Sequence, residues 1–124
     1  MLSSEDLKRD CEQFIGTTAY HKLSIYDVYA TDGVAYFCDN AECYWLFDEM
    51  SDFVTRKTNE VFVVADINCY NTQDGHCATI KFTDGNYNEL GGKVIDWTDL
   101  PTGQWKFFIS NYPNQKIIML PSEY

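Results

Sequence analysis

The apolar residues of this chain change their period once, near Glu60, and that switch constrains the fold more than any other feature. Up to Val54 they recur every three or four residues, as on one face of a helix; from Val61 they recur every second residue, as on one face of a strand. A chain that places helices first and a run of short strands after them is α+β, with N-terminal helices packed on one face of an antiparallel sheet. The strand segments predict a meander of about five strands. The chain is short enough to be one domain, 1–124.

Three helices are expected. The first starts at Ser3 or Ser4, with Asp6 in its first turn, buries Leu7, Cys11, Phe14 and Ile15, and ends at Gly16. Glu5 with Arg9, and Lys8 with Glu12, stand at i,i+4 on its outer face. A strand near Ala19–Leu23 follows from the Thr, Tyr, Ile and Val content of residues 17–30, and then an aromatic loop through Ala30. Thr31-Asp32-Gly33 turns into a short helix that points Val34, Phe37 and Cys38 inward. Asn40 is placed to cap the third helix, where Cys43, Leu46, Phe47, Met50, Phe53 and Val54 form a broad apolar stripe.

Beyond Glu60, Val61, Val63, Ala65, Ile67 and Cys69 form one strand face, NTQDG (71–75) a hairpin turn, and Ala78, Ile80 and Phe82 the returning face. Asp84-Gly85-Asn86 is a second turn. A third strand covers Glu89–Trp97, where Gly91-Gly92 suggests a bulge. Residues 98–103, with Pro101, break the pattern. Trp105, Phe107 and Ile109 mark a fourth strand, NYPNQ (111–115) a turn, and Lys116–Leu120 a fifth.

Charge narrows the function. The net charge is -10, and between Leu23 and Thr55 there is no Lys or Arg, whereas Asp27, Asp32, Asp39, Glu42, Asp48, Glu49 and Asp52 all fall there. Such a surface repels nucleic acid and anionic lipid, so direct nucleic-acid binding and membrane binding are excluded as expectations and a basic protein surface becomes the favoured partner. Tyr26 and Tyr29, interleaved with the acids, are candidate interface anchors. The competing view is that the aromatics are core and the acids are a solvated charge run. With 45% hydrophobic residues the chain has material for a core, so the charge does not imply disorder. No apolar signal-peptide core opens the sequence and no run approaches a membrane span, which predicts a cytoplasmic protein.

The chemistry-bearing residues are sparse. Five cysteines (Cys11, Cys38, Cys43, Cys69, Cys77), an odd number with no secretory signal, point to reduced thiols, with Cys11 and Cys69 in the core. Their spacings do not suit zinc, and no metal or cofactor is expected. His21 is expected to be a hydrogen-bonded structural residue and His76 an exposed turn residue. No glycine-framed Ser or Cys stands near either, and no phosphate-binding glycine loop precedes a helix, so no catalytic residues are assigned.

The segments LSSEDLKRD, FIGTTAYH, TDGVAYF, CYWLFDEM and the terminal LPSEY, in that order, resemble a family of small acidic proteins catalogued as a domain of unknown function, from bacteria and their phages and plasmids. The resemblance runs end to end and departs around Tyr26–Ala30 and Asn111–Gln115. It brings no catalytic residues onto positions of this chain. It implies a context in which small acidic accessory proteins bind and block host enzymes. The expectation is therefore a non-catalytic binding module, in its sharpest form a nucleic-acid mimic that inhibits a host nucleic-acid-processing enzyme such as a CRISPR effector. The alternatives are a structural or homodimeric domain joined through its aromatic surface or an exposed strand edge, and a small hydrolase using His21 or Cys77.

Overall fold

A computed structural model of the chain describes residues 3–73, 75–96, 98 and 100–124. Ser3 caps the first helix, α1 (Ser4–Cys11), its hydroxyl accepting from the Asp6 amide at 3.2 Å. Leu7 and Cys11 are buried. The helix ends at Glu12 rather than at Gly16. Phe14 leaves the helical track to meet the Tyr36 ring at 5.3 Å and still packs on the core, but Ile15 points outward. Arg9 pairs with Asp6 at 3.0 Å, one residue nearer than the expected Glu5.

The predicted strand near Ala19–Leu23 is reduced to one bridge, in which His21 and Ala30 exchange backbone hydrogen bonds of 2.8 Å. The preceding threonines serve another purpose: their hydroxyls bind the start of α2 (Asp32–Ala41) instead of joining a ladder. Thr31 caps α2, whose inward residues include Val34, Phe37 and Cys38. Asn40 does not cap the next helix. Its side-chain amide donates to the Tyr36 carbonyl, and α2 closes at Glu42 in the left-handed conformation. The third helix, α3 (Tyr44–Arg56), follows Cys43 and buries Leu46, Phe47, Met50, Phe53 and Val54.

The sheet is where expectation and structure part. It has six strands, of which β2 (Phe62–Thr72), β3 (Gly75–Thr83) and β4 (Glu89–Ile95) do form an antiparallel meander. Then β5 (Gly103–Tyr112) crosses back to the far flank of β2, and β6 (Gln115–Met119) pairs with β5. A two-residue strand, β1 (Tyr29–Ala30), lies parallel to β6, giving the order β1-β6-β5-β2-β3-β4 and a mixed sheet. The crossover is held at the end of the β2–β3 hairpin. The Thr98 amide donates to the His76 carbonyl, the His76 ring bridges Asn71 Oδ1 and the Leu100 carbonyl, and the Cys77 thiol donates to the Asp96 carbonyl. His76 is thus a latch rather than an exposed turn residue, and Leu100 is buried beside it. The hairpin residue Asp74 and the Trp97 end of the third predicted strand lie outside the described residues.

All three helices lie on the sheet face that carries Phe82, Trp105 and Phe107. Phe37 of α2 meets Trp105 and Phe107 edge-on, Phe53 of α3 stacks on Phe82 at 3.9 Å, and the Lys8 ammonium of α1 sits 5.1 Å over the Trp105 ring. Phe82 pairs with Gly91 and Thr83 with Glu89, so Leu90 is the extra residue of a bulge. Gly91 faces Phe53, whose Cε1 lies 2.7 Å from where a Cβ would stand. Among the described residues no helix is long and apolar enough to cross a membrane.

Candidate partner-binding surface

The outer face of α3 follows from its inner one. With Leu46, Phe47, Met50, Phe53 and Val54 turned to the sheet, Tyr44, Asp48, Asp52 and Arg56 fall at i,i+4 along one outward line. The line is extended at both ends. The Tyr44 hydroxyl donates to Asp39 of α2 at 3.3 Å, and Glu42 projects from the α2–α3 corner. At the other end the Tyr26 hydroxyl donates to Asp52 at 2.9 Å, which brings the loop holding exposed Asp27 beside α3. That hydrogen bond to a carboxylate, with partial burial, raises the Tyr26 pKa. Burial and then Asp39 raise that of Tyr44.

Cations compensate part of this surface. Arg56 meets Asp52 at 3.3 Å and Lys93 of β4 meets Glu49 at 2.7 Å. Asp27, Asp39, Glu42 and Asp48 stand exposed and outside every ion pair among the described residues. Two candidates, both half-buried, stand apart from this line. Tyr29 is committed to β1, where it pairs with Ile117 at the edge of the sheet.

Asp32, half-buried at the start of α2, is the hub of a local hydrogen-bond network. Its carboxylate accepts from the Thr18 amide at 2.8 Å, the Thr18 hydroxyl at 2.9 Å and His21 Nε2 at 2.8 Å, while its own amide donates to Thr17 Oγ1 at 2.9 Å. These donors, the Thr18 amide first, hold the Asp32 carboxyl well below its ordinary 3.8. A depressed carboxylate stabilises the fold at every pH above its unfolded value, and that contribution is lost as pH falls through the folded value. Acid titration of the unfolding midpoint below about pH 4 is therefore expected to be steeper in the parent than in Asp32→Asn. Parallel curves for the two proteins would remove Asp32 from the linkage.

The sulfur and imidazole groups are engaged structurally. Burial pushes the Cys11 thiol up to about 12 and Cys69 to about 11. Cys43 is raised by its hydrogen bond with Cys38 and by burial. Protonated, buried thiols are poor nucleophiles and poor metal ligands. Among the described residues no three His, Cys, Asp or Glu side chains converge as metal ligands.

Sequence reasoning missed residues on both sides of the sheet. Glu123, in a 3-10 turn (Pro121–Glu123), reaches the start of α2, where its carboxylate accepts from Thr31 Oγ1 at 2.6 Å, the Gly33 amide at 3.1 Å and the Leu120 amide at 3.1 Å. Asp66, Lys81 and Lys106 meet on the face opposite the helices. Their alternation with apolar neighbours is visible in the sequence, but the register that joins them is not.

A protein-family model matches residues 5–124, and its description is a family of unknown function. No curated protein matches the chain. A protein of unknown function from Enterococcus faecalis, known from its crystal structure, has a similar fold. The TM-score is 0.55 and the identity 15%, over 86% of this chain and 98% of that one, a likeness of fold alone.

Proposed function

The chain belongs to DUF6876, a family of unknown function, and from that premise we propose that it is a non-catalytic binding module whose acidic helical face seats on a basic surface of a partner protein. Its sharpest form is an accessory protein of a bacterial phage or plasmid that occupies the nucleic-acid groove of a host enzyme, a CRISPR effector being one example. The observation that carries the reading is the outward line Asp39–Tyr44–Asp48–Asp52, joined at its ends by Glu42 and Tyr26. Carboxylates one helical turn apart repeat at about 5–6 Å, a spacing that suits lysines and arginines evolved to hold successive phosphates. Exposed Tyr44 and half-buried Tyr26 add contact area at low entropic cost. Asp27, Asp39, Glu42 and Asp48, which make no ion pair among the described residues, bear most of the attraction, because Glu49 and Asp52 already have cationic partners.

The test is capture from a bacterial lysate followed by elution with rising salt. Retention near 0.1 M salt and release by about 0.5 M is expected for a partner held by charge. Asp39→Asn, Glu42→Gln and Asp48→Asn together should abolish retention without lowering stability. Glu42→Gly separates fold from binding. Glu42 sits at φ 54, ψ 43, where glycine is favoured over glutamate by about 1 kcal/mol. The variant should be more stable yet bind less well. Salt-independent capture, or capture that the triple variant leaves unchanged, removes the acidic face from the function.

A second reading rests on β4, an edge strand of the sheet with Val94 61% exposed. An edge of this kind is a template for pairing with a second copy. Light scattering whose mean mass doubles with concentration, and reverts in Val94→Lys, favours that homodimer over the charged interface.

A further inference from the structure

The sheet face opposite the helices has its own pattern. Asp66 of β2 stands in register between Lys81 of β3 and Lys106 of β5, making a Lys–Asp–Lys row across the three central strands. Lys106 Nζ lies 3.6 Å from Asp66, and Lys81 has no ion-pair partner among the described residues, so the row is net cationic. This is a positive spot on a molecule of net charge -10.

One step along the strands the chemistry becomes aromatic. Val64 is flanked by Thr83 and Phe108. The Phe62 and Phe108 rings stand 5.4 Å apart, and both meet Tyr124 edge-on. The β3–β4 loop closes this area into a cleft of about 290 Å³. Gly85, at φ +87, lets the loop backbone approach Phe62, whose ring carbon is 3.0 Å from where a Cβ would lie. Asp84 fixes the loop by accepting from the Asn86 amide at 2.8 Å, the Asn88 amide at 3.2 Å and Asn88 Nδ2 at 2.9 Å.

That fixed loop holds Tyr87 at φ 67, in the left-handed region that bulky side chains avoid, with the ring 95% exposed at the cleft mouth. Asn86 and Asn88 on either side are residues that tolerate this conformation. The fold thus accepts a disfavoured backbone to present a ring that contributes no packing.

The geometry points to a binding site on this open sheet face for a small planar aromatic anion, its ring among Phe62, Phe108 and Tyr87 and its charged group on Lys81, the lysine of the row that Asp66 does not hold in an ion pair. The charge of the whole molecule selects the size of the occupant. A nucleic-acid strand carries a phosphate at every step and meets the molecule's net negative field along its length. A single ring with one anionic group meets only this local row, whose two lysines outweigh Asp66. The cleft volume, at the low end for ligand sites, admits one ring system. A nucleoside monophosphate and an aromatic carboxylate share this chemistry.

Nuclear magnetic resonance titration of the labelled full chain with adenosine 5′-monophosphate, benzoate, adenosine and a short single-stranded DNA tests the site. Saturable shifts of amides in 62–66, 81–87 and 106–108 are expected with at least one of the two anions, at a dissociation constant below about 1 mM. Which anion binds names the source of the ligand. Tyr87→Asn suits the left-handed backbone, so its thermal midpoint should hold or rise while affinity falls by about tenfold. Lys81→Gln, which breaks no ion pair among the described residues, should weaken binding several-fold and leave the fold intact. No saturable shift with either anion up to about 5 mM overturns the proposal. So does equal affinity for adenosine alone, unchanged affinity in both variants, or DNA binding tighter than either anion. The acidic helix face is untouched by these variants, so failure here leaves the partner-binding reading standing.

Discussion

Gly33→Ala lowers the unfolding free energy by about 2 kcal/mol, although alanine in place of glycine within a helix ordinarily raises it by up to about 1 kcal/mol. A Cβ at this position stands 2.6 Å from Glu123 Oε1 and 2.6 Å from Leu120 Cδ1. Neither neighbour can yield cheaply. Leu120 is 5% exposed, and the Glu123 carboxylate is held by Thr31, by the Gly33 amide and by the Leu120 amide. Releasing a hydrogen-bonded charge from such a site costs about 1.5–3 kcal/mol, which exceeds the helix-propensity gain. The thermal midpoint should fall by roughly 6–12 °C. Glu123→Ala should lose a similar amount, and the double variant should lose less than the sum, because removing the carboxylate removes most of the clash. Additivity of the two changes, or a more stable Gly33→Ala, refutes the clasp. It also explains why TDG and the distant LPSEY segment belong together: one makes room for the other.

Phe37→Ala is expected to cost about 3–5 kcal/mol, the largest single effect, and on a domain with 5–15 kcal/mol in hand it takes the protein to the margin of folding. Phe37 is 1% exposed and meets Trp105 at 5.0 Å and Phe107 at 5.1 Å, both near edge-on. Truncation empties a cavity between α2 and β5 and forfeits two favourable ring pairs. Phe37→Leu keeps much of the volume and should lose only about 1–2 kcal/mol, which secures the measurement if the alanine variant does not fold. Denaturant midpoints for the two variants check the order. A loss below about 1 kcal/mol in Phe37→Ala would mean that the α2–β5 contact does not hold the layers together.

The acidic surface shows how far reading residues alone can go. The helical stripe of α3 implies its outward line, because an apolar face five residues wide leaves Tyr44, Asp48 and Asp52 nowhere else to point. Whether each acid is free depends on groups far away in sequence: Lys93 neutralises Glu49, and His21 with Thr18 draws Asp32 inward. Tyr26 could be named as an anchor, but not as the hydrogen-bond partner of Asp52. The row of Asp66, Lys81 and Lys106 was likewise missed, because it is the register across three strands that brings them together.

Local rules were enough for the existence of three helices, the hairpins, the α+β class and most of the inward faces, since capping, turn chemistry and periodicity act within a few residues. They misplaced the end of α1, the Asn40 cap, and Ile15 and Val61, which face outward. The sheet order was decided by tertiary structure alone. Whether β5 extends the meander or returns to β2 depends on His76 and Cys77 latching Asp96, Thr98 and Leu100 across the hairpin, and β1 takes its place because β6 arrives beside it. Such contacts join residues about 20 to 90 positions apart, and their formation turns on loop closure and packing that no local preference encodes.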